Sequence, residues 1–177
     1  MAVQVALLRA VNVGGRTKLP MTDLRRVFAD LGYGDASTIL QTGNVVFEAK
    51  STAGIAGKIE KALADEFGLK TDVILRSDKD WQAIIAANPY PDQAKEAANW
   101  LVLMPLKDKP AKGAVDTLRT AIKGRETIEL IGDNLYIVYP DGIGRSKLTL
   151  DLIEKKLGTR GTGRNWNTVL KIADAVK

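Results

Sequence analysis

The apolar positions of this chain fall into short segments that follow two rhythms. Val3 to Leu8 is β-prone and mostly apolar, and predicts a buried strand. A loop spans Val11 to Leu19. Pro20 then suits a first helical position, and Met21, Leu24, Val27, Phe28 and Leu31 recur at helical spacing up to Gly32. Ser37 to Gln41 and Val45 to Glu48 read as antiparallel strands joined by the tight turn Thr42-Gly43-Asn44. Ile55, Ile59, Ala62, Leu63 and Phe67 mark a second helix, capped by Ser51 or Thr52 and stopped by Gly68. Asp72 to Arg76 reads as a closing strand. The order β-α-β-β-α-β predicts a ferredoxin-like subdomain over residues 1–76.

Ser77-Asp78-Lys79-Asp80 has the form of a capping box, and the helix after it carries Trp81, Ile84 and Ile85. The prolines of Asn88-Pro89-Tyr90-Pro91 exclude helix there, so residues 77–98 read as a linker helix and a proline-containing loop. Residues 99–177 repeat the same grammar as a second α+β subdomain. Asn99 to Met104 is a strand. Pro110 opens a helix with Val115, Leu118 and Ile122 inward. Thr127–Ile131 and Leu135–Tyr139 form a hairpin around Gly132-Asp133. Ser146 caps a helix through Leu148, Leu152, Ile153 and Leu157. The stretch from Gly158 to Arg164 then stands where a closing strand would be, and a last helix follows from Asn165. The expected class is α+β with two subdomains. The first is ferredoxin-like, and the second is a related β-α-β-β-α unit with an extra C-terminal helix.

The 177 residues can bury a core without disulfide or metal, roughly 70% of the unfolded surface for a chain of this size. There are no cysteines and no histidines. That excludes disulfides, thiol nucleophiles, iron–sulfur clusters, thiolate zinc and an imidazole base. No metal site is predicted. No apolar run approaches about 18 residues, so no membrane-spanning helix is expected. With no basic leader at Met1 to Leu8, the expectation is a soluble cytoplasmic protein. The net charge of +5 is uneven: +2 over residues 1–76, −1 over 77–140 and +4 over 141–177. A basic excess around a glycine-rich loop points toward an anionic ligand or nucleic acid.

Three constellations could carry chemistry. After the first strand come Arg9, Asn12, Gly14 and Gly15, followed by Arg16 and Lys18. Glycines at a strand end let the backbone approach a ligand, although neither a P-loop nor a G-x-G-x-x-G pattern is present. Gln41 has no role in a hairpin, and if its strand lies beside the first one, Gln41 and Arg9 could face a common ligand. Thr42-Gly43-Asn44 itself is better explained as a hairpin turn with a structural cause. In the basic tail, Arg145, Ser146 and Lys147 sit at one expected helix start, and Arg164 and Asn165 at another. Helix starts favour anions. Ordinary capping by Ser146 and Asn165 accounts for the same residues. Paired aromatics for stacking RNA bases are missing from the strands.

Five separated motifs, in order, carry a resemblance. They are Arg9-Ala10-Val11-Asn12-Val13-Gly14-Gly15, Asp23-Leu24-Arg25, Gln41-Thr42-Gly43-Asn44-Val45-Val46-Phe47, Ser146-Lys147-Leu148 and Thr162-Gly163-Arg164-Asn165-Trp166-Asn167-Thr168-Val169. Across essentially the whole chain they resemble the bacterial family known as domain of unknown function 1697. Ala10, where Gly is expected, and Thr42, where Ser is frequent, are small departures. The resemblance implies an α+β fold of two subdomains, the first ferredoxin-like. It supplies no activity, cofactor or catalytic residue.

The functional expectation is a cleft between the subdomains that binds an anionic, phosphorylated ligand. Arg9, Asn12, Gln41 and Asn44 would line one wall, and Arg145, Ser146, Lys147, Arg164 and Asn165 the other. Phosphate-led nucleic-acid binding and an enzyme acting on a small anionic metabolite without His or Cys are the alternatives. No cofactor is assigned.

Overall fold

The computed structural model describes residues 1–12 and 18–177. The chain divides into two compact units, Met1–Ala83 with Lys171–Lys177, and Ile84–Leu170.

In the first unit, β1 (Ala2–Leu8), α1 (Met21–Asp30), β2 (Ser37–Ile39), β3 (Asn44–Ala49), α2 (Ile55–Phe67) and β4 (Val73–Ser77) form a sheet of order β2-β3-β1-β4, antiparallel throughout. That is the split βαβ arrangement expected from the sequence. The amphipathic spacing explains the packing. Leu24, Val27 and Phe28 of α1 and Ile55, Ile59 and Leu63 of α2 bury against Ala6, Leu8, Val45, Phe47 and Val73 of the sheet. Phe28 meets Phe47 edge-on at 5.1 Å, an arrangement that suits the ring quadrupoles. Val5, Leu7, Val46 and Ile74 are buried as well, so the central strands are apolar on both faces. This is why β1 reads as a run and not as an alternation. The helix α3 (Asp78–Ala86) follows β4. Its capping box is formed: Asp80 N–H donates to Ser77 Oγ and Ser77 N–H to Asp80 Oδ2.

The second unit carries α4 (Pro91–Glu96), a 3-10 turn at Ala98–Trp100, β5 (Leu101–Pro105), α5 (Ala114–Ala121), β6 (Thr127–Ile131), β7 (Asn134–Val138), α6 (Leu150–Leu157), β8 (Arg164–Asn165) and α7 (Trp166–Ala175). Its sheet has the order β6-β7-β5-β8, again antiparallel. Both units therefore share one topology. Leu118 of α5 and Ile153 and Leu157 of α6 pack on Val102, Met104, Ile128, Leu135 and Ile137.

Four expectations are corrected. The second sheet does have its closing strand: β8 pairs with β5 through Asn165 opposite Val102 and Arg164 opposite Leu103, and a bridge joins Leu106 to Gly161. A Cβ on Gly161 would lie 2.8 Å from Pro105 O, so this pairing needs glycine. The helix expected from Ser146 begins at Leu150, capped by Thr149, because Leu148 is first drawn into the core, where its carbonyl accepts from the Tyr139 hydroxyl. Neither Ser51 nor Thr52 caps α2; the N-cap is Gly54 at φ +74°, while Ser51 Oγ accepts from Ala53 N–H in a local turn. The segment at Pro91 was expected to be non-helical, yet Pro91 opens α4, where a fixed φ and a missing N–H cost nothing.

Gly43, at φ +85°, lies so near β1 that a Cβ would stand 2.9 Å from Leu8 Cβ. Gly132, at φ +62°, has open space around it. Gly132→Ala is expected to lose only the left-handed penalty of about 1 kcal/mol, and Gly43→Ala about 3 kcal/mol in total, measured by urea denaturation. Burial chiefly pushes the Tyr136 and Tyr139 hydroxyls up to about 12. The native state thus holds these protons more tightly than the unfolded chain. Their contribution to stability is complete below pH ~10 and is lost as pH rises from about 10 to 12. Urea midpoints recorded from pH 8 to 11.5 should fall, and less so in a Tyr136→Phe, Tyr139→Phe double variant.

Candidate functional site

The C-terminal ends of β1 and β2 lie along one edge of the first sheet, because both strands run antiparallel to β3 between them. A single row crosses that edge: Ile39 faces Asn44, Asn44 faces Leu7, and Leu7 faces Ile74. Beyond the row the backbone is forced into rare conformations. Among the described residues, the non-glycine positions with positive φ are Ala10 (+57°), Asn12 (+56°) and Leu40 (+59°), all of them just past these two strand ends. Each costs about 1–2 kcal/mol relative to ordinary backbone, a strain that clusters at functional sites.

Asn12 holds this end together. Its Nδ2 donates to Leu19 O at 2.9 Å and to Gln41 O at 2.7 Å, while its Oδ1 accepts from Leu19 N–H at 2.7 Å. One side chain therefore links the approach to α1 at Leu19 to the β2–β3 turn at Gln41. Asn also tolerates the left-handed conformation better than other non-glycine residues. Beside this staple is a pocket of about 520 Å³, lined by Asn12, Gln41 and residues 18–22. The first turn of α1 forms part of the wall. Pro20 is the N-cap and offers no side-chain acceptor to that turn; Asp23 lies within it. Lys18 is exposed and, among the described residues, makes no ion pair.

The residues expected to bind a ligand are distributed as follows. Asn12 and Gln41 come together at this pocket. Gly14 and Gly15 lie outside the described residues. Arg9 sits at the end of β1, its N–H donating to Asp72 O and its carbonyl accepting from Thr71 Oγ1, and it is not part of the pocket lining. Asn44 is fully buried, and its Nδ2 donates to Ile39 O and Thr42 Oγ1, so it shapes the turn from inside.

Arg145, Ser146 and Lys147 line a second pocket, of about 240 Å³, together with Lys123, Glu126 and Asp141. Ser146 Oγ donates to Glu126 Oε1 at 2.6 Å and accepts from Leu148 N–H at 3.0 Å. Arg164 is buried in β8, where its Nη1 donates to Thr162 Oγ1 and Gly163 O; burial pushes the guanidinium down to about 10, still charged at neutral pH. It was expected at a helix start. Asn165 Oδ1 accepts from Thr168 N–H and caps α7, which is the capping alternative. Neither Arg164 nor Asn165 belongs to either pocket.

Lys18, Thr22 and Leu40 in the first unit, and Lys123, Glu126 and Asp141 in the second, were absent from the expected binding set. Lys18 adjoined it in the basic loop. No sequence signal joins Glu126 to Ser146, which only the folded chain brings together. Among the described residues, no group of three or more carboxylates is placed to hold a metal ion. No helix among them is long and apolar enough to cross a membrane.

A family model described as a protein of unknown function (DUF1697) matches residues 1–136. The chain belongs to this family. The match includes the whole of the β1–α1 turn, Asn12 and Gln41, and ends before Arg145. A solved structure of the conserved bacterial protein SP0830 from Streptococcus pneumoniae is similar in fold, with a TM-score of 0.78, 20% identity and 99% of each chain covered. No curated protein matches the chain. The α+β fold of two similar units is thus shared by a DUF1697 chain and a solved bacterial protein.

Asn12→Ala is expected to destabilise this DUF1697 chain by about 3 kcal/mol, from lost hydrogen bonds and left-handed strain together. Asn12→Gly relieves the strain and should recover about 1 kcal/mol of that loss. Urea unfolding of the two variants measures the difference.

Proposed function

We propose that the chain is a binding protein for a small anionic ligand, and that the ligand docks at the β1–α1 turn of the first unit. The observation that carries this reading is the gathering of strained backbone at Ala10, Asn12 and Leu40 around the pocket that Lys18, Thr22 and Gln41 line. Strain of this kind persists only where the surroundings over-determine it, and Asn12 supplies that restraint. The chemistry suits an anion. Lys18 brings a charge, and the Thr22 hydroxyl and the Gln41 amide bring donors. The first N–H groups of α1 have no partner within the helix. Leu19, Pro20 and Met21 add an apolar wall, so the ligand combines one acidic group with a compact apolar body. Asp23 in the first turn limits the charge that the pocket tolerates.

The test is an amide-shift titration of the full chain with short-chain carboxylates and small phosphate monoesters at fixed ionic strength. Shifts are expected in segments 18–24 and 40–42. Lys18→Gln should weaken binding about fivefold and Gln41→Ala about threefold, the sizes of one exposed charge contact and one neutral hydrogen bond. Anions that move no amide in these segments, or a Lys18→Gln variant that binds as tightly as the parent, would remove the reading.

A further inference from the structure

The second pocket has a charge balance of its own. Two carboxylates and three cations line it. Both carboxylates are engaged. Asp141 takes Arg125 in a two-pronged ion pair, and Glu126 takes the Ser146 hydroxyl. The Glu126 carboxylate lies against the backbone of Gly124, where a Cβ would stand 2.4 Å from Oε2, so its position depends on that glycine. Among the described residues, Lys123, Arg145 and Lys147 make no ion pair, although all three face one cavity of about 240 Å³. With Asp141 neutralised by Arg125, three cations stand against the single charge of Glu126, an excess of positive charge that favours an anion in the cavity.

We propose that this pocket binds the phosphate group of a small phosphorylated ligand, held by Lys123, Arg145 and Lys147. A phosphate monoester brings close to two negative charges and three peripheral oxygens, against one charge and two oxygens for a carboxylate. Cations from three separate chain positions match the former. The arginine fork can take two oxygens at once, and each lysine serves as a point charge. Glu126 opposes the phosphate. Its hydrogen bond to Ser146 fixes that opposing charge beside the site, so Glu126 limits the affinity without contributing a contact. The site lies within the second unit and shares no residue with the pocket at the β1–α1 turn.

The sign of the Glu126 effect makes the test decisive. Inorganic phosphate is titrated into the full chain at constant ionic strength, with acetate in parallel, and amide shifts are read. Phosphate is expected to move the amides of residues 123–126 and 141–147, and acetate to leave them in place. Arg145→Gln and Lys147→Gln should each weaken phosphate about fivefold, while Glu126→Gln, which keeps an acceptor for Ser146, should tighten it about threefold. Lys18→Gln should change nothing here, which separates this site from the first. Acetate shifts equal to those of phosphate, no shifts in either segment, or a Glu126→Gln variant that binds phosphate no tighter than the parent would each overturn the proposal.

Discussion

The bond from Leu8 N–H to Gly43 O, 2.8 Å long, governs the end of the first unit that carries the candidate site. It brings the β2–β3 turn against the last residue of β1 so closely that only glycine fits at position 43. Past that contact, Asn12 reaches Gln41 O and Leu19, and Lys18 lies beside the first turn of α1. The strain at Ala10, Asn12 and Leu40 is the cost of turning the chain twice within so small a space.

The second unit offers an internal comparison. There Leu106 N–H donates to Asp133 O, the counterpart of Leu8 and Gly43, and Lys107 N–H donates to Arg160 O, as Arg9 N–H does to Asp72 O. The units differ in the turn itself. Between β6 and β7 stand only Gly132 and Asp133, whereas Leu40, Gln41, Thr42 and Gly43 stand between β2 and β3. The longer turn carries the left-handed Leu40 and the side chain of Gln41. On a shared scaffold, the candidate site lies where one copy departs from the plain hairpin.

Much of the fold was legible in the sequence, because helical spacing in α1, α2 and α6 and apolar runs in β1, β3 and β7 are local signals. What escaped was set from a distance. The strand β8 is two residues in a Gly-, Thr- and Arg-rich stretch without alternation; β5 imposes its extended form. The start of α6 depended on Leu148 entering the core, which no cap signal announces. In the site, Asn12 and Gln41 were legible as polar residues at strand ends. Asn44 and Arg164 resembled them in type, yet both are buried, with side-chain donors that serve neighbouring residues of the chain. Residue type does not distinguish a side chain that faces outward from one that braces the chain from within.

The first unit is not contiguous along the chain. Residues 1–83 form most of it, but Lys171–Lys177 belong to it too, and Ile172, Ala173 and Val176 of that segment are buried. Synthesis proceeds from the N-terminus, so the last piece of the first unit leaves the ribosome only after all of the second has been made. The unit begun earliest is completed last, and a nascent chain halted before residue 171 carries a first unit without its final helical turns.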